Sequence, residues 1–134
     1  MATTTATITL SSDLVSDALK FSTTATLTAA GNSTGIENTG GLARKTTGNT
    51  TEYTLFDASD YTDDEAHKIY LKNTETDAAK YFEVQIAEVV VGRIHAGDWA
   101  FFPWSADTTG TNCNITITPQ AADMTLEYML FVSP

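Results

Sequence analysis

Arg93-Ile-His-Ala-Gly-Asp-Trp-Ala-Phe-Phe-Pro-Trp104 is the stretch that decides how the rest of the chain is read. Both tryptophans of the sequence lie in it. An apolar run from Val89 to Val91 leads through Gly92 to Ile94, Ala96-Gly97-Asp98 has the composition of a turn, and Trp99 to Trp104 reads as strand again. The spacing predicts a buried hairpin. Strand alternation sends Trp99, Phe101 and Pro103 one way and Ala100, Phe102 and Trp104 the other, so both faces of the second strand are largely apolar. Either two sheets sandwich this strand or a partner subunit covers its second face. The residue types carry packing and no visible reaction chemistry.

Toward the C-terminus, Ala106 to Thr111 is a polar turn and Asn112 to Thr118 alternates as a strand. Cys113 falls in phase with its apolar side, as a buried small hydrophobe. After a short connection from Pro119 to Asp123, the segment Met124 to Val132 places Met124, Leu126, Tyr128, Leu130 and Val132 on one face. On its other face Thr125 and Glu127 give way to Met129 and Phe131, so the half nearer the C-terminus is apolar on both sides. Toward the N-terminus, Thr3 to Leu10 alternates as a first strand, and 11–19 reads as a turn before a second Thr-rich strand from Phe21 to Ala29. Gly31 to Gly41, with four glycines and no periodicity, reads as a surface loop. Further strands are expected over Glu52 to Phe56, Lys68 to Lys72, and Tyr81 to Ile94, the last as two strands or one long bent one. About eight short strands with turn signals every ten residues or so predict a single all-β domain spanning 1–134, an antiparallel, jelly-roll-like β-sandwich.

Composition agrees with that class. Thr makes up roughly a fifth of the 134 residues and favours extended chain over helix. Seven Lys and Arg stand against 17 Asp and Glu, for a formal net charge of -10. Such a surface repels phosphate backbones and anionic membranes, so neither nucleic acid nor membrane is expected as a partner. No apolar signal segment follows Met1 and no apolar run is long enough to span a bilayer, so a soluble protein without a leader is expected. Matches to the glycosylation pattern at Asn32, Asn49 and Asn114 then reflect the abundance of Thr.

Tests for chemistry come back negative. Gly31-Asn32-Ser33-Thr34-Gly35 matches a nucleophile elbow, but that elbow needs a strand before it, a helix after it and an α/β sheet around it, which this sequence does not offer. The acidic stretch Asp57 to Glu65 could donate oxygens to calcium, yet Thr62 stands where a calcium loop turns on Gly, and a solvated loop is the simpler reading. His67 and His95 lack metal-ligand spacing. No catalytic residue, metal or cofactor is assigned, and the chain is expected not to be an enzyme.

Five segments then carry a resemblance: Met1-Ala-Thr-Thr-Thr-Ala-Thr-Ile-Thr-Leu10, Gly41-Leu-Ala-Arg-Lys-Thr-Thr47, Tyr70-Leu-Lys-Asn73, Ala96-Gly-Asp-Trp-Ala-Phe-Phe-Pro-Trp104 and Met124-Thr-Leu-Glu-Tyr-Met129. Together they resemble small virion structural proteins of tailed phages, notably cyanobacterial myophages. The resemblance implies a β-sandwich component of the particle, and a capsid decoration or cement protein in particular. As implied partners it brings further copies of the chain, with a trimer favoured, and the major capsid protein at the outer surface of the head. A tail, baseplate or fibre component, or a host-surface glycan-binding module, is the alternative. The residues expected at such interfaces are Phe102, Trp104, Met129 and Phe131 from the apolar second faces, together with the adjacent cations Arg44 and Lys45. On that assignment Trp104→Ala weakens assembly more than folding. The N-terminal segment pairs within its own sheet or is exchanged with a neighbour.

Overall fold

The computed structural model describes residues 5–12, 19–26, 38–39, 41–109 and 112–132. Strand follows strand throughout: β1 (Thr5–Ser12), β2 (Leu19–Thr26), β3 (Asn38–Thr39), β4 (Ala43–Thr47), β5 (Tyr53–Phe56), β6 (His67–Asn73), β7 (Tyr81–Ile86), β8 (Val89–His95), β9 (Trp99–Trp104), β10 (Ile115–Pro119) and β11 (Met124–Val132). One turn of 3-10 helix, Ala58–Asp60, is capped by the Asp57 carboxylate, which accepts from the Ser59 N–H. The expected turn over 11–19 and the Gly31 to Gly41 loop lie largely outside the described residues.

Eight of these strands form the sandwich. In one sheet the order is β4-β11-β6-β9, with the two residues of β3 continuing the β4 edge; in the other it is β5-β10-β7-β8. Every pairing is antiparallel. From β4 to β11 the chain changes sheet at each connection except β7 to β8, and that winding is the jelly roll. The fold class expected from sequence therefore holds. Between the sheets lie Ile69 and Leu71 from β6, Phe82 and Val84 from β7, Ile115 and Ile117 from β10, and Met124, Leu126 and Leu130 from β11. Strand β6 alternates strictly, with His67, Ile69, Leu71 and Asn73 buried and Lys68, Tyr70 and Lys72 turned out.

Two local readings are corrected. The turn at Ala96-Gly97-Asp98 does not close a hairpin, because β8 pairs with β7 in one sheet while β9 pairs with β6 in the other. The turn is an arch between sheets, in which Gly97 takes φ 82° and the Asp98 N–H donates to the His95 carbonyl at 2.9 Å. The true hairpin is β7–β8. Its two-residue turn is Ala87-Glu88, with φ 52° and 65°, the left-handed pair that such turns require and that Asn-Gly would supply without strain. Second, Cys113 is half-buried and precedes its strand, which begins at Ile115. Asn114 is held out of the ladder, its side chain accepting from the Ala58 N–H at 2.7 Å and its carbonyl from the Ala87 N–H at 3.1 Å.

Asn73 fastens the arch. It is fully buried at the end of β6. Its main chain bonds both ways across the turn, accepting from the Gly97 N–H at 3.1 Å and donating to the Asp98 carbonyl at 3.0 Å. Its side-chain amide donates to the Ile94 carbonyl at 3.0 Å and the Lys80 carbonyl at 3.3 Å, and its side-chain oxygen accepts from the Glu75 N–H at 3.0 Å. A buried polar group with this many partners is specific about its chemistry. Asn73→Asp aims a carboxylate at two carbonyl oxygens and is expected to cost about 3 kcal/mol or more in urea unfolding at neutral pH. Asn49→Asp is the control and should be close to neutral, since the contacts of the Asn49 side-chain oxygen are donors, from the Thr51 N–H, the Thr51 hydroxyl and the Tyr53 hydroxyl.

Candidate functional site

The β4-β11-β6-β9 sheet divides the expected interface residues between its two sides. Register places His67 opposite Trp104, Ile69 opposite Phe102 and Leu71 opposite Ala100, so Phe102 and Trp104 share the inner face with the buried side of β6. Trp104 is 4% exposed. Its indole N–H donates to the Cys113 carbonyl at 2.8 Å, and the rings of Tyr61, His67 and Phe56 stand 5.3, 5.4 and 6.1 Å from it. Phe102 packs against the same core while also reaching the open edge of the sandwich. Neither residue belongs to an outward apolar face; they close the sandwich from inside.

Met129 and Phe131 do point outward, and the structure supplies companions that the sequence reading left out. Opposite Tyr70 stand Met129 on one side and Phe101 on the other. Opposite Lys68 stand Phe131 and Pro103, and opposite Lys72 stand Glu127 and Trp99. The Phe101 and Phe131 rings meet edge to face with centroids 5.9 Å apart. The outer face of this sheet is thus an aromatic and thioether patch of Tyr70, Phe101, Met129 and Phe131, edged by Lys68 and Lys72. A groove of about 350 Å³ runs over it, with Leu42 and the first residues of β1, Thr5 and Ala6, on its far wall.

Arg44 and Lys45 separate as neighbours in a strand must. Arg44 joins the outer face, where its guanidinium donates twice to one oxygen of Glu127, at 3.2 and 3.1 Å. Burial, and after it that carboxylate, lifts the Tyr70 hydroxyl above its ordinary range. Lys45 faces the other way and lies over the Tyr53 ring, 5.0 Å from its centroid.

A second apolar surface lies where the sandwich opens between edge strands β8 and β9. Val89, Val90 and Val91 are 64%, 52% and 56% exposed, and Trp99 at the corner is 56% exposed. A groove of about 470 Å³ enters there between Val84, Ile86, Val91 and Ile94 of one sheet and Trp99 and Phe102 of the other. The N-terminal hairpin adds a third apolar feature. Strands β1 and β2 pair with each other, with Thr7 bonded to Thr24 and Thr9 to Ser22 on one side, while Ile8 and Leu10 stay exposed on the other.

Two carboxylates of the acidic loop serve local structure. Asp57 caps the 3-10 turn, and Asp63 accepts from both the N–H and the hydroxyl of Thr108. Among the described residues no group of three or more His, Cys, Asp or Glu could hold a metal ion. His67 lies between Tyr61 and Trp104 in the core, whereas His95 is on exposed β8 beside Tyr81.

Trp104→Ala removes a core side chain and should cost about 3–5 kcal/mol of stability, whereas Phe131→Ala on the outer face should cost no more than about 1 kcal/mol. Urea denaturation of the two variants reads the difference. Burial, the largest influence on His67, holds its imidazole below the ordinary range; Glu65 pulls it up and Lys68 presses it down. The unfolded chain therefore takes up this proton first as pH falls. Stability is expected to drop from about pH 6.5 downward, by no more than about 1.4 kcal/mol per pH unit, and His67→Gln should flatten that slope. Below about pH 4.5 the lowered carboxyl of Glu75 adds its own loss, and below about pH 3.8 that of Asp57.

Comparison with protein-family models, with curated proteins and with solved structures yields no match.

Proposed function

We propose that this chain is a structural protein of a tailed-phage virion, a decoration protein that binds the outer surface of the head as an oligomer and stabilises the shell. The observation that carries this reading is the outer face of the β4-β11-β6-β9 sheet. Tyr70, Phe101, Met129 and Phe131 are half-buried on the side away from the core and line a groove there with Thr5, Ala6 and Leu42. A surface of that composition suits contact with protein, since aromatic residues and Met are enriched at interface centres. The resemblance in five segments of the sequence points to the same class of protein.

The physics of a cement protein asks for nothing more. A protein that binds the assembled shell and not its dispersed subunits stabilises the shell by linkage, with no catalytic step. Many copies on a symmetric lattice turn a modest contact into a lasting one. The β1–β2 hairpin is the natural arm toward the shell, because two strands alone are marginal in water and Ile8 and Leu10 gain from being covered. Exposed Trp99 favours a second reading, a tail- or fibre-borne module that stacks on host-surface sugars.

Mixing purified protein with heads that lack it separates the two. The decoration reading expects co-sedimentation with heads and a higher temperature of shell disruption, both lost in the Ile8→Asp/Leu10→Asp variant with its sandwich still folded. Protein that sediments with tails instead, or whose tryptophan fluorescence is quenched by host polysaccharide, moves the assignment to the second reading.

A further inference from the structure

We propose that copies of this chain close into a small ring through a head-to-tail contact, in which the β8 edge of one copy seats on the outer aromatic face of the β4-β11-β6-β9 sheet of the next. The proposal names the interface of the oligomer suggested above. It rests on the oligomer part of that reading and not on the shell.

Two apolar surfaces of different shape occur on one chain. One is a ridge and cleft, the unpaired edge of β8 with Val89, Val90 and Val91 exposed and a groove of about 470 Å³ beside it. The other is the outer face, where Tyr70, Phe101, Met129 and Phe131 are half-buried and line a groove of about 350 Å³ that Thr5, Ala6 and Leu42 bound on its far side. Among the described residues β8 pairs with β7 alone, so three consecutive valines line a free strand edge. Proteins ordinarily blunt such an edge with charge or cover it, and here nothing on the edge itself is charged between Glu88 and Arg93.

Charge selects how the two surfaces combine. The chain carries a net charge of -10 with only seven basic residues. Among the described residues, three of those seven, Arg44, Lys68 and Lys72, stand on the outer face, where Arg44 engages the carboxylate of Glu127. The β8 edge is flanked instead by exposed Glu88 and Asp98, while Arg93 is paired with Glu83. Edge against edge would bring together two surfaces flanked by exposed acidic residues, and face against face two surfaces that carry lysines. Edge against face sets unlike charges opposite each other, and like-charge juxtaposition is what excludes the symmetric alternatives. The occupant is therefore a second copy, bound by a heterologous contact. Such a contact closes when the two surfaces of one copy are suitably inclined. Here both border β9, Trp99 and Phe102 lining the cleft and Phe101 standing on the face, so the two contacts of one copy lie on adjoining sides and the ring is small.

A heterologous contact makes a prediction that a symmetric one cannot. Val90→Asp damages only the edge and Met129→Asp only the face; each alone should run as a folded monomer in light scattering coupled to size exclusion, where the unaltered protein runs as a ring. Mixed together they retain one good edge and one good face, and a one-to-one heterodimer is expected, visible as its own mass in native mass spectrometry. If Met129→Asp loses its cooperative melt, Lys68→Glu/Lys72→Glu serves as the face variant. An unaltered protein that is monomeric, a ring that survives either variant, or a mixture that stays monomeric overturns the proposal. A ring that fails to bind heads overturns only the particle assignment.

Discussion

A carboxamide sealed in the core holds the two sheets to each other. The chain must cross from β8 in one sheet to β9 in the other, and the crossing would leave main-chain groups unbonded at the mouth of the core. Asn73 answers for them, bonding the Ile94 and Lys80 carbonyls through its side chain and the Gly97 and Asp98 main chain through its own. A hydrophobic residue would fill the space and leave the carbonyls stranded. With the arch fixed, β9 is committed to lie beside β6, and the faces of its aromatic residues are decided. Phe102 and Trp104 go inward against Ile69 and His67, and Phe101 goes outward beside Tyr70. The outer aromatic patch is thus a consequence of how the corner is tied.

How much of this was legible depended on whether the signal was local. Strand β11 was readable to its ends, because Met124, Leu126 and Leu130 alternate with Thr125 and Glu127 over nine residues. Strand β6 was equally plain. Strand β4, Ala43-Arg-Lys-Thr-Thr47, has no apolar alternation and is a strand because β11 offers it an edge, which is a tertiary cause. The arch at Ala96 to Asp98 was read as a hairpin because the same turn chemistry serves both, and nothing local says whether the next strand returns to its predecessor. One clue was present: Pro103 has no N–H for a ladder and suits the edge position that β9 occupies. The real hairpin was hidden, since Ala87-Glu88 carries none of the usual turn residues despite its left-handed geometry.

The candidate surface was half legible for the same reason. Met129 and Phe131 break an alternation whose other face is certain, so their outward direction could be read. On β9 both faces are apolar, and only the register with β6 tells which one the core takes. Tyr70 was missed because a single aromatic between two lysines looks like an ordinary outer face. Its meaning appears once Met129 and Phe101 stand on either side of it.

The resulting account is of a jelly roll whose sequence alternation builds a sandwich and whose surplus apolar residues are gathered on an edge and a face. In the proposed role linkage does the work, since each surface covered on assembly would stabilise the assembled state over the dispersed one. Cryo-electron microscopy of the intact particle, traced through the density of this chain, tests that account most directly. The account predicts small rings on the outside of the head with the β8 edge of each copy against the Tyr70 and Phe101 face of its neighbour. Density confined to the tail or fibres, or isolated copies with both surfaces open to solvent, would contradict it.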